Sequence, residues 1–420
     1  MDLRSGQSLW IKLGRECLVR PSLQKSIQCD VLIVGSGVTG ALIAYHLAER
    51  GLDVVVVDRR DIALGSTPAS TALLQYDVDS PLVNLRKKLG RKHADAAYQR
   101  SRHAVSDLAA LVKRLGLDCG LARRSSLFLA HCKKDLPLLK AEFQARQELG
   151  LEVEYLDNKS LGTRFSIRRS GAILSRVAFQ IDPWSFTKQL LIAAERLGAK
   201  IFARTTLVPV AGEHLVNHSE EGHRIEANHV VWATGYEAPE QFPEIQDLCQ
   251  LNSTYVVATR PIPASRLWPR KSLIWETGNP YLYARTTRQG RVIIGGRDEP
   301  FKNPAKRDAL IPSKTRQLLR AFNGIYAIGE VEVEMAWAGT FAQTEDGLPY
   351  IGQMSAYPHC HFSLGYGGNG ITFSLIAAQI IRDDILRCHN STGDPFSFDR
   401  VLRSSHRRAA RTHVLSGREP

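Results

Sequence analysis

An apolar run of strand length, Cys29-Asp30-Val31-Leu32-Ile33-Val34, leads directly into Gly35-Ser36-Gly37-Val38-Thr39-Gly40. The spacing Gly35-x-Gly37-x-x-Gly40 opens a helical pattern (Ala41, Ile43, Ala44, Leu47, Ala48), and a second β-branched run, 54–57, ends in Asp58. Gly35 permits a tight turn, Gly37 lets backbone approach a pyrophosphate, and Gly40 allows helix to pack closely on strand. The helix N-terminus offers N–H groups and a positive dipole end to phosphates, and an acid at Asp58 can accept from ribose hydroxyls. The glycines alone would describe only a Gly-rich turn; with both strands, the helix and the acid they form a βαβ dinucleotide fingerprint.

A chain of 420 residues can build two domains, and 44% hydrophobic with 23% charged residues is an ordinary globular composition. No apolar run approaches the ~20 residues of a membrane span. Residues 1–28, read as an N-terminal extension, hold only Leu9-Trp10-Ile11 before Lys12, short of a signal-peptide core, so a cytoplasmic location is expected. The seven cysteines are odd in number and dispersed, as for reduced thiols. In His359-Cys360-His361 a strand would turn Cys360 away from both histidines, and no metal is expected. The net charge of +13 is scattered, densest in a basic tail at 396–420 that reads as solvated and disordered, so nucleic acid is not an expected partner.

After Asp58 comes a small, hydroxyl-rich loop, 65–74, suited to passing close to a flat ligand. Residues 81–115 read as one helix, 125–132 as a strand, 134–150 as a helix and 153–156 as a strand. Strand and helix alternate again around Ile181-Asp182-Pro183 and on to 229–235, which closes on Ala233-Thr234-Gly235, where small residues leave backbone uncovered. A second block, 245–335, carries strands at 254–259, 272–275, 281–285 and 291–295, spaced as an antiparallel sheet.

The last segment reaches a second glycine loop, Gly365-Tyr366-Gly367-Gly368-Asn369-Gly370-Ile371, at the start of a helix over 372–386. No strand and acid follow it, so it is not another nucleotide fingerprint, yet it again aims N–H groups at something electron-rich. A reduced isoalloxazine, negative near N1 and the C2 carbonyl, fits, which points to FAD rather than NAD.

Together, the βαβ start with Asp58, the loop at 66–74, Ile181-Asp182-Pro183, Ala233-Thr234-Gly235, Trp337-x-Gly339 with Glu345-Asp346-Gly347-x-Pro349-x-Ile351-Gly352, and Gly367-Gly368-Asn369-Gly370-Ile371 resemble the D-amino-acid oxidase-type flavoproteins. That family includes glycine oxidase, sarcosine oxidase and γ-glutamylputrescine oxidase. The resemblance spans about 28–390 and implies an α/β fold. It comprises a Rossmann-like FAD-binding domain from 29–80, 160–244 and 336–395, interleaved with an α+β, antiparallel-sheet substrate domain from 81–159 and 245–335. It implies hydride transfer from a carbon bearing nitrogen to flavin N5, giving an imine that water hydrolyses, on a small amine or amino-acid-like substrate, with O2 or a carrier as electron acceptor.

Carried over by residue, the resemblance puts Val38 and Thr39 at the pyrophosphate and Asp58 and Arg59 near the adenosine. Ser66, Thr67, Thr71, Ala72 and Leu73 would run along the ribityl chain and flavin, with Val208 on adenine. Gly368, Asn369, Gly370, Ile371 and Thr372 would hold the pyrimidine end. Tyr281 would close the substrate side, while Tyr283 reads as sheet core. Where amino-acid oxidases of this type clamp a carboxylate with arginine, this chain has Phe341, so Arg285 or Arg297 would have to substitute, or the substrate is an amine. Sarcosine oxidase's flavin-linking cysteine matches Gly339, implying noncovalent FAD, and its oxygen-activating lysine matches Ile293. No general base is apparent. Two alternatives stay open: a tRNA-modifying flavoenzyme, marked by a basic cleft, and a flavin-binding partner subunit without turnover.

Overall fold

The computed structural model describes residues 1–5, 7–14, 16–210, 213–238, 242–278, 281–388 and 394–400. The two β-branched runs of the fingerprint become parallel neighbours, Ile27–Val34 and Val54–Val57, with Val31 to Val34 registered on Val54 to Val57. Val54 to Val57 are all buried, which is why the run is continuous rather than alternating: helices cover one face and a second apolar cluster covers the other. Among the described residues this sheet has eight strands, ordered Tyr350–Met354, Tyr357–Leu364, Arg224–Trp232, Ile27–Val34, Val54–Val57 and Lys200–Phe202. The antiparallel pair Leu207–Val210 and Glu213–Ser219 lies beside Arg224–Trp232. Helix Val38–Ala48 is buried from Thr39 to Ala48, enclosed between Pro183–Arg196, Gly370–Ile385 and the sheet.

A second, nine-stranded sheet runs Val333–Gln343, Gln250–Thr259, Val292–Glu299, Leu282–Thr286, Leu273–Glu276, Ala122–Leu129, Gly171–Gln180 and Leu73–Gln75, with Val153–Asp157 also on Gly171–Gln180. Its pairs are antiparallel except Leu273–Glu276 on Ala122–Leu129, which is parallel. Helix Pro304–Asn323, absent from the sequence reading because Pro304 and Pro312 interrupt its pattern, packs Leu318 and Phe322 against Trp268 in this sheet's own core. Asn303 caps it by accepting from the Lys306 N–H (2.9 Å).

The expected domain limits shift accordingly. Leu73–Gln75 and Gly171–Gln180, placed with the nucleotide unit, pair into the second sheet. The helix expected over 81–115 is two helices, Leu82–Leu89 and Arg91–Arg114, broken where Gly90 turns to φ +82°. Ala94, Ala97, Val105 and Leu108 of the second join the same core as Val31 and Ile33, although the stretch was assigned to the substrate unit.

Residues 1–28 are not a mere extension. Arg4 bridges Gly339, the Ser5 N–H donates to Ala338 O (3.0 Å) and the Thr340 N–H to Leu3 O (2.9 Å), while Leu9 and Trp10 are buried. The expected tail also begins too early. Phe396 and Phe398 are buried, and Arg400 lies over the Tyr350 ring (4.1 Å) and pairs with Asp346 (2.7 Å). Residues 401–420 lie outside the described residues. Among the described residues no helix is long and apolar enough to cross a membrane, the seven cysteines are unbridged, and no three His, Cys, Asp or Glu side chains are grouped to hold a metal ion.

One buried ionic network joins the two halves. Arg146 of helix Leu136–Glu148 is fully buried among the rings of Tyr76, Tyr98 and Phe128, donates to Asp77, and donates to Glu142 (2.7 Å). Glu142 accepts from the N–H groups of Leu82 and Val83 (3.0 Å each), capping the next helix. Replacing Arg146 with Met would strand two buried carboxylates. The expected loss is about 3–5 kcal/mol, measured as a lower denaturant midpoint at unchanged slope.

Candidate active site

A cavity of about 740 Å³ is lined by residues of both sheets. At one end stands the fingerprint. Gly35, at φ +110°, passes so near the neighbouring strand that a Cβ there would lie 2.5 Å from Ala233 O, and a Cβ at Gly40 would lie 1.9 Å from Gly35 O. Helix Val38–Ala48 starts at Gly37 with no side-chain cap, leaving its positive end to the cavity. The Val38 N–H donates to Thr67 Oγ1 (3.0 Å), and Thr39 shares a hydrogen bond with Ser374 (2.8 Å).

Asp58 is more occupied than expected. It accepts from the Ser36 N–H (2.8 Å), the Ser36 hydroxyl (2.6 Å) and the Arg60 N–H (2.8 Å), which uses three of roughly four acceptor positions. Arg59 and Arg60 both line the cavity and both pair with Glu237, whose carboxyl they hold below its ordinary range.

The loop through Ser66, Thr67, Thr71, Ala72 and Leu73 forms one long side, with Ala72 at φ +55°. Arg285 secures this turn from behind. Its guanidinium is buried, donates to Ala72 O (2.7 Å) and Ile181 O (2.9 Å), and lies over the Trp10 ring (4.9 Å). With carbonyls and no carboxylate touching it, burial lowers its pKa to about 9. The expectation that Arg285 meets substrate is therefore corrected: it does not line the cavity.

Helix Gly370–Ile385 is the second helix whose uncapped start faces the cavity. Asn369 donates to Asp77 O (2.6 Å), and the N–H of Gly368, a residue expected to hold the pyrimidine end, donates to Asp79 (2.7 Å). Burial raises the Asp79 pKa to about 6, opposed by that N–H.

Beyond it the second sheet forms a chamber. Tyr281 lines it as expected, and so does Tyr283, which reads as sheet core in the sequence; the two rings lie 5.7 Å apart. Tyr283 lies over Gly295, where a Cβ would come within 2.3 Å of the ring. Phe128 and Trp275 stack at 3.9 Å, and the Trp275 indole N–H is buried without a partner. An irregularity between Ser253 and Tyr255, opposite Gly296 (φ +126°) and Arg297 (φ +59°), turns Asp298 to the cavity. Burial raises its pKa to about 7, and its Oδ1 is buried without a partner.

Of the other expected residues, Gly37, Gly235, Ala233, Gly370 and Ile371 line the cavity. Gly40 and Thr372 instead support it from behind, Thr372 by donating to Gln75 O (3.2 Å). Val208 is 46% exposed and off the cavity, where Thr205, Thr206 and Leu207 stand. Arg297 is not on the lining, and Ile293 is buried in the core. The sequence reading missed Asp77, Asp79, Asp298, Trp275 and Leu3; the Gly295-Gly296 pair inside a strand was the one available sign of a bulge.

The pattern that defines the FAD dependent oxidoreductase (DAO) family matches residues 30–383. The chain belongs to that family. This FAD-dependent oxidoreductase is 25% identical over 395 residues to γ-glutamylputrescine oxidoreductase of Escherichia coli K12, covering 92% of this chain and 88% of the relative. It is 24% identical over 390 residues to glycine oxidase of Geobacillus kaustophilus, covering 89% and 97%. In three dimensions it is similar to that organism's glycine oxidase (TM-score 0.73, 23% identity, 88% and 98% covered) and to L-proline dehydrogenase from P. horikoshii (0.74, 19%, 91% and 99%).

The cavity fits FAD on its own geometry: two uncapped helix starts, glycines that exclude a Cβ, and a Thr234 hydroxyl without a partner. Gly40→Ala is expected to push the helix off the strand and weaken FAD retention at least about tenfold, or 1.4 kcal/mol. Flavin absorbance per protein after gel filtration measures it.

Proposed function

We propose that the FAD-dependent oxidoreductase oxidises the C–N bond of an amine, with FAD held noncovalently. The observation that supports this most is the continuity of one cavity, from the fingerprint glycines to an aromatic, acidic chamber. In this reading Gly35, Gly37, Val38 and Thr39 surround the pyrophosphate, and Asp58 and Arg59 the adenosine. The 66–73 loop follows the ribityl chain, and Gly368, Asn369, Gly370 and Ile371 meet the pyrimidine. Gly339 offers no side-chain atom for a covalent link, and no cysteine or histidine is among the described lining residues.

Bound FAD supplies a two-electron acceptor for the hydride leaving the carbon beside nitrogen. The chain supplies orientation and exclusion of water: Tyr281 and Tyr283 wall the substrate side, and Phe341 takes the place where an arginine would clamp a carboxylate. The relatives' names, one an amine oxidoreductase and one an amino-acid oxidase, bracket this choice. RNA would need a basic cleft; the described lining has two basic side chains, Arg59 and Arg60, both paired with Glu237.

Anaerobic mixing of the yellow protein with a panel of amines and amino acids tests the reading. An amine is expected to bleach the flavin band, and acid denaturation to release all the flavin. Recovery of the band in air identifies an oxidase, and its persistence in the bleached form a dehydrogenase. A flavin that no amine reduces overturns the proposal in favour of a subunit without turnover.

A further inference from the structure

We propose that Asp79 and Asp298 receive the substrate's ammonium group, with Asp298 accepting its proton, so that the substrate class is an amine with no carboxylate on its reacting carbon. The inference rests on the amine-oxidation reading above.

Among the described lining acids of the chamber, Asp77, Glu276 and Glu299 are paired with Arg146, Arg169 and Lys314, whereas Asp79 and Asp298 form no ion pair. Asp77, at 1% exposure, lines the cavity and gives one oxygen to Arg146, while its Oδ2 is buried without a partner. Asp298 leaves its Oδ1 in the same condition. No lysine or histidine lines the cavity among the described residues, and its two arginines stand by Asp58 and Glu237. Buried carboxylate oxygens without donors cost free energy that an incoming N–H cation recovers.

The rings reinforce the choice. Asp79 and Tyr281 converge over Gly368, whose Cβ would lie 2.9 Å from the carboxylate and 3.2 Å from the hydroxyl. Tyr281, Tyr283, Phe128 and Trp275 line the chamber, and the faces of aromatic rings attract cations. A substrate carboxylate would meet Phe341 and the acids, with no donor comparable to an arginine fork.

The two acids divide the work. Asp79, held by the Gly368 N–H, stays as counter-charge; Asp298, with a free oxygen, takes the proton. An ammonium N–H bond breaks and an O–H bond forms on Asp298. The lone pair released on nitrogen becomes the second C=N bond as the hydride, with its two electrons, leaves carbon for FAD. Water then converts the iminium to a carbonyl compound and ammonium.

The charges also set a pH dependence. Asp298 faces Thr254, Tyr281, Tyr283, Glu299, Lys314 and Asp79, and Asp79 faces the Gly368 N–H, Tyr281 and Tyr236. Burial raises both carboxyls, so they are neutral below about 6 to 7 and charged above. Ammonium binding therefore strengthens as pH rises through that interval and fades once the free amine, near pKa ~10, loses its own proton.

The test uses tert-butylamine and 2-aminoisobutyrate, which differ by a carboxylate in place of a methyl and cannot give up a hydride. Each is titrated calorimetrically into FAD-loaded enzyme. Expected are affinity for tert-butylamine at least about tenfold above that for 2-aminoisobutyrate and about a tenfold loss between pH 8 and pH 5.5. Asp298→Asn is expected to cost at least about tenfold in affinity and flatten the pH dependence, with FAD content unchanged, and Asp79→Asn to weaken binding as a second check. Equal or tighter binding of 2-aminoisobutyrate, no binding of tert-butylamine, or variants with intact FAD and unaltered affinity overturns the inference alone. Failure of the wild-type chain to retain FAD overturns the reading beneath it as well.

Discussion

The Gly35 carbonyl occupies the volume that a side chain at Gly40 would need, 1.9 Å from the position of its Cβ. That shared space lets helix Val38–Ala48 lie against strand Ile27–Val34 closely enough for its first turn to face the cavity. The helix is then packed on all sides from Thr39 to Ala48 and is mostly apolar because that stretch has no solvent face. Helix Gly370–Ile385 takes its position from this one, through Thr39 and Ser374, so both helix starts that face the cavity are placed by a single close contact. Loop 66–74 completes the arrangement by accepting the Val38 N–H on Thr67.

Legibility in the sequence followed the range of the interactions. The fingerprint was readable because turn, helix start and terminal acid are all local, and the second glycine loop because a helix N-terminus carries its own electrostatic signature. Arg285 was not, because its partners, Ala72 and Ile181 carbonyls and the Trp10 ring, come from three distant segments. The same holds for residues 1–5, whose pairing with 338–340 spans nearly the whole chain. Asp298 depends on a bulge, which shifts the facing of every later side chain by one and defeats an alternation argument. Gly90 was legible as a glycine but not as a break, since the apolar face of Arg91–Arg114 continues the spacing before it.

The bulk charge does not describe the site. A chain of net charge +13 has a cavity whose described lining carries Asp58, Asp77, Asp79, Glu237, Glu276, Asp298 and Glu299 with two arginines, and Arg146, Arg169 and Lys314 pair with Asp77, Glu276 and Glu299 from behind it, which leaves Asp79 and Asp298 without an ion pair. Composition reports on solubility and long-range encounter, while the recognising surface is selected residue by residue from the fold. Many basic side chains lie elsewhere, some in exposed pairs such as Lys200 with Asp53 and Arg260 with Glu332, which contribute little to stability.

The two buried arginines show how this asymmetry is maintained. Arg146 is matched by Asp77 and Glu142, and those carboxylates raise its pKa well above the ordinary value. Arg285 is given only carbonyl dipoles, and desolvation lowers its pKa instead. Neither guanidinium reaches the cavity surface: one anchors the wall beneath the chamber and the other braces the loop beside it. These cations are thus committed to holding the walls, and Asp79 and Asp298 are the acids that the lining presents without an ion pair. Phe341 on the lining belongs to the same arrangement, since an arginine in its place would bring a cation to the acids and a bidentate donor for carboxylates.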